Sequence, residues 1–197
     1  KTILTNYEDS SGKYKENKGY FSEPNTGAIK SQEGVPEWLR RNEDGLTVAI
    51  PGFEFIENWD YHFALHLITR FFAGIHSNKI SFSINGGKIK ITHDTLPLLF
   101  EEREIRDSAN TLGLEEQLEE KNQYYGAYSD PTREEILEIE GLGRFRLRAR
   151  VMDDGGKGVL FVRNGMAIAN GMGHKKFLKF PSTRPFRCVV SPLKLES

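Results

Sequence analysis

Five histidines, several paired glutamates and a late concentration of arginine and lysine are the residues of this chain whose chemistry reaches beyond packing. His62 and His66 stand four apart, the spacing that sets two imidazoles on one side of a helix and opens many zinc sites. No cysteine accompanies them, no third ligand follows, and Phe63, Ala64 and Leu65 lie between, so they read as helix-surface or core histidines. The pairs Glu101-Glu102, Glu115-Glu116 and Glu119-Glu120 fall in a charged helical run and read as a solvated face. No serine occupies a G-x-S-x-G elbow, which removes that class of hydrolase. Neither G-x-x-x-x-G-K-[ST] nor G-x-G-x-x-G after a strand occurs, which removes the common phosphate cradles.

Two basic features remain. Arg144, Arg146, Arg148 and Arg150 alternate with Phe145, Leu147 and Ala149, the pattern of a half-buried strand whose exposed face is a row of guanidinium groups. With Arg163, Lys175, Lys176, Lys179, Arg184 and Arg187 they suit the phosphates of a nucleotide or of nucleic acid. An equal reading pairs them with the chain's own acids: Glu101–Glu140 holds 13 Asp/Glu against 4 Lys/Arg, whereas 141–197 holds 12 Lys/Arg against 3 Asp/Glu. The second feature is Arg163-Asn164-Gly165-Met166. A strand-end Arg before an Asn-Gly turn projects a guanidinium from a fixed backbone, although Asn-Gly is also the commonest pair in ordinary hairpins.

The element that must position these groups is Asp44–Asn78. Gly45 and Pro51-Gly52 frame Leu46–Ile50, an apolar β-branched run that reads as a buried strand. After it Trp59, Phe63, Leu67 and Phe71 recur four apart, and Ile56, Leu65, Ile68, Phe72 and Ile75 widen the face. The spacing predicts a helix buried over much of its circumference, opened by Glu57 or Asn58 and closed by Asn78. Residues 1–41 are polar with isolated aromatics and read as a mobile segment or lid, or as a plain disordered arm. Lys79–Asn85 and Lys88–Thr92 alternate around Gly86-Gly87 and predict a hairpin. Asp94 or Thr95 with Pro97 begins a helix, and Leu112–Tyr128 continues in helical register. Gly158–Gly171, a strand broken at Asn164-Gly165, and the run Arg184–Leu193 complete an α+β chain with no internal repeat.

With 27 Lys+Arg against 28 Asp+Glu in 197 residues, a globally basic nucleic-acid binder is excluded and a local patch is not. The single Cys188 lies in an apolar run and reads as a core thiol in a reducing compartment. No run approaches the ~18 apolar residues of a membrane span, and no signal peptide opens the chain. These features predict a soluble cytoplasmic protein, and a start at Lys1 rather than Met predicts a fragment.

Gly45-Leu46-Thr47-Val48-Ala49-Ile50, then Pro51-Gly52-Phe53-Glu54, a Trp59-bearing helix ending Phe71-Phe72-Ala73-Gly74-Ile75, paired strands and the late Val162-Arg163-Asn164-Gly165-Met166 run together resemble bacterial members of the GHKL ATPase superfamily, the group of Hsp90, MutL-type and gyrase B-type proteins. The resemblance covers 44–190. It implies that residues 1–52 are a lid-like segment with the last strand of the nucleotide-binding domain. Residues 53–197 become a transducer-like α+β domain of the ribosomal S5 domain 2-like type, a mixed sheet with packed helices. It further implies nucleotide contacts at Gly45, Thr47 and Arg163, with Arg163 reaching the γ-phosphate as the catalytic cation. ATP and Mg would be cofactors of the full-length protein, not of this chain alone. The family's Gly-Thr stands here as Gly45-Leu46, with Thr47 one place later. The superfamily's catalytic Glu, Mg-holding Asn and D-x-G adenine motif are missing from these 197 residues. The implied partner is therefore an N-terminal ATPase half, with a homodimer and nucleic acid as further partners and no membrane. A nucleic-acid module on the basic strand face and a structural interaction domain are the alternatives.

Overall fold

A computed structural model describes residues 2–3, 7–8, 14–15, 18–19, 37, 40, 56–154, 156–168 and 184–193. The chain divides into two units, Lys1–Glu54 and Phe55–Ser197. In the first, β1 (Thr2–Ile3) pairs antiparallel with β4 (Lys18–Gly19), and β2 (Tyr7–Glu8) with β3 (Tyr14–Lys15). Within the stretch that the sequence offers as a mobile segment or lid, or as a disordered arm, these residues form two short ladders, one nested inside the other in sequence. Gly45, Thr47 and the Leu46–Ile50 run lie outside the described residues.

The second unit is built around α1 (Trp59–His76), the helix that the apolar spacing predicts. Leu65, Ile68, Phe72 and Ile75 are at most 1% exposed, and α1 touches the three other helices and two strands. Asn58 precedes it in the left-handed region, at φ 56°, and gives no side-chain cap. Beyond α1 the expected hairpin forms: β5 (Phe82–Ile84) against β6 (Ile89–Ile91), with Asn85, Gly86 and Gly87 all at positive φ in the turn.

One charged contact ties this hairpin to the start of α1. Asp60, 3% exposed, accepts hydrogen bonds from Asn85 Nδ2 at 2.9 Å and Lys88 Nζ at 2.8 Å, and from the Tyr61 N–H at 3.0 Å. Burial pushes the carboxyl upward; the Lys88, Asn85 and Tyr61 donors outweigh it and hold the group below its ordinary 3.8. A depressed folded-state pKa contributes stability that is fully present above the unfolded value and is lost as pH falls through the folded one. We expect Asp60→Asn to cost about 1–3 kcal/mol at neutral pH and to flatten the acid limb. Urea midpoints at pH 7 and pH 3 check both: the gap between wild type and variant shrinks at the lower pH.

The predicted long acidic helix is three helices. After α2 (Leu96–Glu101), Glu102 turns extended at ψ 133° and caps α3 (Arg103–Leu112). Gly113, at φ 64°, then ends α3 while the Leu114 N–H reaches back to the Ala109 carbonyl at 2.8 Å, a Schellman closure, before α4 (Glu115–Ser129). Periodicity carries across both breaks because each costs only a residue or two of register.

Five strands form the main sheet, in the order β10-β9-β11-β8-β7. They are β7 (Arg133–Ile139), β8 (Gly143–Val151), β9 (Lys157–Arg163), β10 (Met166–Ile168) and β11 (Phe186–Pro192). Consecutive neighbours are antiparallel, but β11 inserts between β8 and β9 and runs parallel to β9, so the sheet is mixed and the class is α+β, as expected. The acidic edge strand β7, exposed at all seven residues, has no counterpart in the sequence reading.

Register decides which side of β8 is covered, and it reverses the expectation. Arg148 pairs with Val189, which is 1% exposed in the core, so Arg146, Arg148 and Arg150 point toward the helices. Arg148 donates to the Tyr128 carbonyl at 3.0 Å with its guanidinium 4.7 Å from the Tyr128 ring centre. Phe145, Leu147 and Ala149 lie instead on the opposite side, beside the exposed Leu137 and Phe161 and the buried Cys188. The guanidinium groups take the inner side because α4 offers Arg148 the Tyr128 ring and carbonyl, and Asp130 and Glu134 supply carboxylates; alternation shows which residues share a side, not which side is inside. Burial pushes the Cys188 thiol up to about 11, consistent with the inert core thiol that its apolar run suggests.

Candidate functional site

Arg163 ends β9, and Asn164 (φ 53°) with Gly165 (φ 82°) turns the chain into β10, a two-residue hairpin with both central residues left-handed. The turn is fixed to α1 from outside the sheet. The Gly74 N–H donates to the Gly165 carbonyl at 2.9 Å, and the two glycines are back to back. A Cβ on Gly165 would stand 2.6 Å from Gly74 Cα, and one on Gly74 would stand 3.2 Å from the Gly165 oxygen. Only hydrogen fits at Gly165, whereas a methyl at Gly74 would need its neighbours to give slightly.

From this turn Arg163 is exposed and makes no ion pair among the described residues. Its neighbour Val162 is buried, so alternation sends Arg163 to the side of the sheet away from the helices. The other residues that sequence reasoning assigns to the nucleotide, Gly45 and Thr47, lie outside the described residues.

On the opposite side of the same turn is a cleft of about 460 Å³, which the sequence reading missed. The C-terminal end of α1 supplies His76, and Lys79 follows it; α4 supplies Tyr128, β8 supplies Arg146 and Arg148, and the turn supplies Asn164. Glu134 of β7 accepts from Arg148 Nε at 2.7 Å and stands 3.3 Å from Arg146 Nε, which is an ion pair without hydrogen-bond alignment. The Arg148 hydrogen bond, helped by both guanidinium charges and opposed by burial, holds the Glu134 carboxyl below its ordinary value. Burial, then His93 and Arg148, push the His76 imidazole down, so it is neutral at pH 7. His76 Nδ1 and Arg146 Nε are buried behind this wall and have no hydrogen-bond partner among the described residues.

Comparison with protein-family models, with curated proteins and with solved structures returns no match. The site is therefore argued on its geometry.

The arginine row finds carboxylates within 101–140, but not those of the paired glutamates. Glu134 of a strand holds Arg146 and Arg148, and Asp130, just past α4, stands 3.9 Å from Arg150. His66 is exposed and His62 half-buried, and among the described residues no three His, Cys, Asp or Glu side chains gather within reach of one metal ion. A wider groove of about 570 Å³ between α4 and the β8–β9 turn is lined by Glu119, Asp153 and Asp154 against Arg150, so it repels anions. A single signal pointed to the cleft: Gly74 interrupts the apolar helix Trp59–His76, where glycine costs about 1 kcal/mol relative to alanine, and another backbone is what comes close there.

Proposed function

We propose that this chain is the lid-to-transducer part of a GHKL-type ATPase, completed for catalysis by an ATPase half, and that Arg163 is its contact to the γ-phosphate. One observation carries the reading. An exposed guanidinium without an ion-pair partner among the described residues stands on a turn that is bonded to the central helix. A cation so mounted moves only with the whole α+β unit, which suits a residue that reports nucleotide state as a change of domain angle. On this reading residues 53–197 are the ribosomal S5 domain 2-like transducer, residues 1–52 are the lid and the last strand beside it, and the protein is cytoplasmic. What is observed of membranes is that no helix among the described residues is long and apolar enough to cross one.

The residues present fit one corner of an ATP–Mg site. Arg163 supplies a positive charge for a terminal phosphate, which when bound with Mg would carry the hydrolysable bond. The adenine-holding and Mg-holding groups belong to the missing half. Arg146, Arg148 and Arg150 point toward the helices instead of standing outward as a row, so no observation favours the alternative of nucleic acid tracking along β8.

Calorimetry with Mg and a non-hydrolysable ATP analogue tests the proposal. The expected result is saturable binding by the full-length gene product, tighter than any by this chain alone. Absence of binding from both would overturn it.

A further inference from the structure

The cleft beside the Asn164-Gly165 turn is not used by the proposed contact, because Arg163 points to the other side of the sheet. Among the described residues its charge is unbalanced: Lys79, Arg146 and Arg148 face one carboxylate, Glu134, and His76 is held toward its neutral form. Lys79 is exposed at the rim and makes no ion pair among the described residues.

We propose that this cleft binds a small phosphorylated molecule, with the phosphate held by Lys79, Arg146 and Arg148. The excess of two positive charges matches a phosphomonoester, which carries about −1.5 to −2 at pH 7, better than a monocarboxylate. The volume of about 460 Å³ exceeds the needs of a bare phosphate and is within the usual range for small-molecule sites, roughly 300–1,000 Å³. Apolar Ala73, Val162 and Pro192 line the rest and suit the carbon skeleton. The arginines supply planar forks for the phosphate oxygens and Lys79 a point charge at the entrance. Glu134 then acts as an internal counter-ion that keeps both guanidinium groups aligned in the empty cleft, and a phosphate shares them with it.

Calorimetric titration of this chain with ribose 5-phosphate tests the proposal, with ribose as the uncharged control and citrate as the carboxylate arm. Saturable binding with Kd of about 1 mM or tighter is expected, weakening with added salt, and absent for ribose. Lys79→Gln and Arg146→Gln are each expected to weaken it about tenfold, the usual worth of one charged hydrogen bond. Arg163→Ala should leave it unchanged, which separates this site from the γ-phosphate contact. Lys79 is exposed, so its variant keeps the fold even if that of Arg146 does not. No saturable heat, equal binding of ribose, tighter binding of citrate than of the phosphate, or wild-type affinity in Lys79→Gln would each overturn the proposal.

Discussion

Gly165→Ala is expected to lower the melting temperature by about 10 °C. Two costs add. Alanine at φ 82° is in the left-handed region, which costs an L-residue about 1–2 kcal/mol. Its Cβ would stand 2.6 Å from Gly74 Cα, and because that atom belongs to a helix backbone it cannot swing aside. Overpacking of this kind costs about 1–3 kcal/mol, and the shift needed to relieve it breaks the Gly74-to-Gly165 hydrogen bond. For a chain of this size each kcal/mol moves the midpoint by about 2–4 °C. Gly141→Ala is the control: its φ is 75°, and nothing lies within 4 Å of the added atom. It should show the conformational cost alone. Equal melting temperatures for the two variants, read by circular dichroism, would mean that the turn is not packed on α1.

Much of this architecture is legible in residue spacing. The Trp59–His76 helix follows from apolar residues four apart, and the β5–β6 hairpin from Asn85-Gly86-Gly87 between alternating runs, because both are local patterns with a single period. Features that depend on a partner were not legible. Arg133–Ile139 counts in the sequence only as part of the acidic run 101–140, since its three glutamates match its three aliphatics; it becomes a strand by pairing with β8. The side of β8 that faces the core is set by α4, whose Tyr128 and flanking Asp130 accept guanidinium groups. Alternation cannot show this. For the same reason the cleft was invisible, because His76, Tyr128, Arg146 and Asn164 come from four separate elements and meet only in the fold. Gly158 shows the limit in miniature. As a strand glycine it marks a close approach, but only the structure shows that the Tyr124 hydroxyl would lie 2.2 Å from its Cβ.

On the proposed γ-phosphate contact, Arg163→Ala in the full-length protein is expected to reduce ATP turnover by about 10³-fold, the lower end of what a cation at the transferring phosphate supplies, and to leave the fold unchanged. The contrast between the two readouts is the point of the experiment. Arg163 is exposed and makes no ion pair among the described residues, so its truncation removes no internal contact that holds the unit together. Surface changes of this kind are worth within about 0.5 kcal/mol of stability, whereas a 10³-fold loss of rate is about 4 kcal/mol of transition-state stabilisation. Arg163→Lys should recover part of the rate, since it restores the charge without the planar fork. Nucleotide binding should weaken less than turnover, because a contact that strengthens as charge moves onto the terminal phosphate acts on the transition state more than on the bound nucleotide. Unchanged turnover in a folded Arg163→Ala protein would remove Arg163 from the reaction and with it the one residue that connects this unit to a nucleotide. The turn would then serve only to hold α1 against the sheet, a role that Gly165 and Gly74 fulfil without a guanidinium.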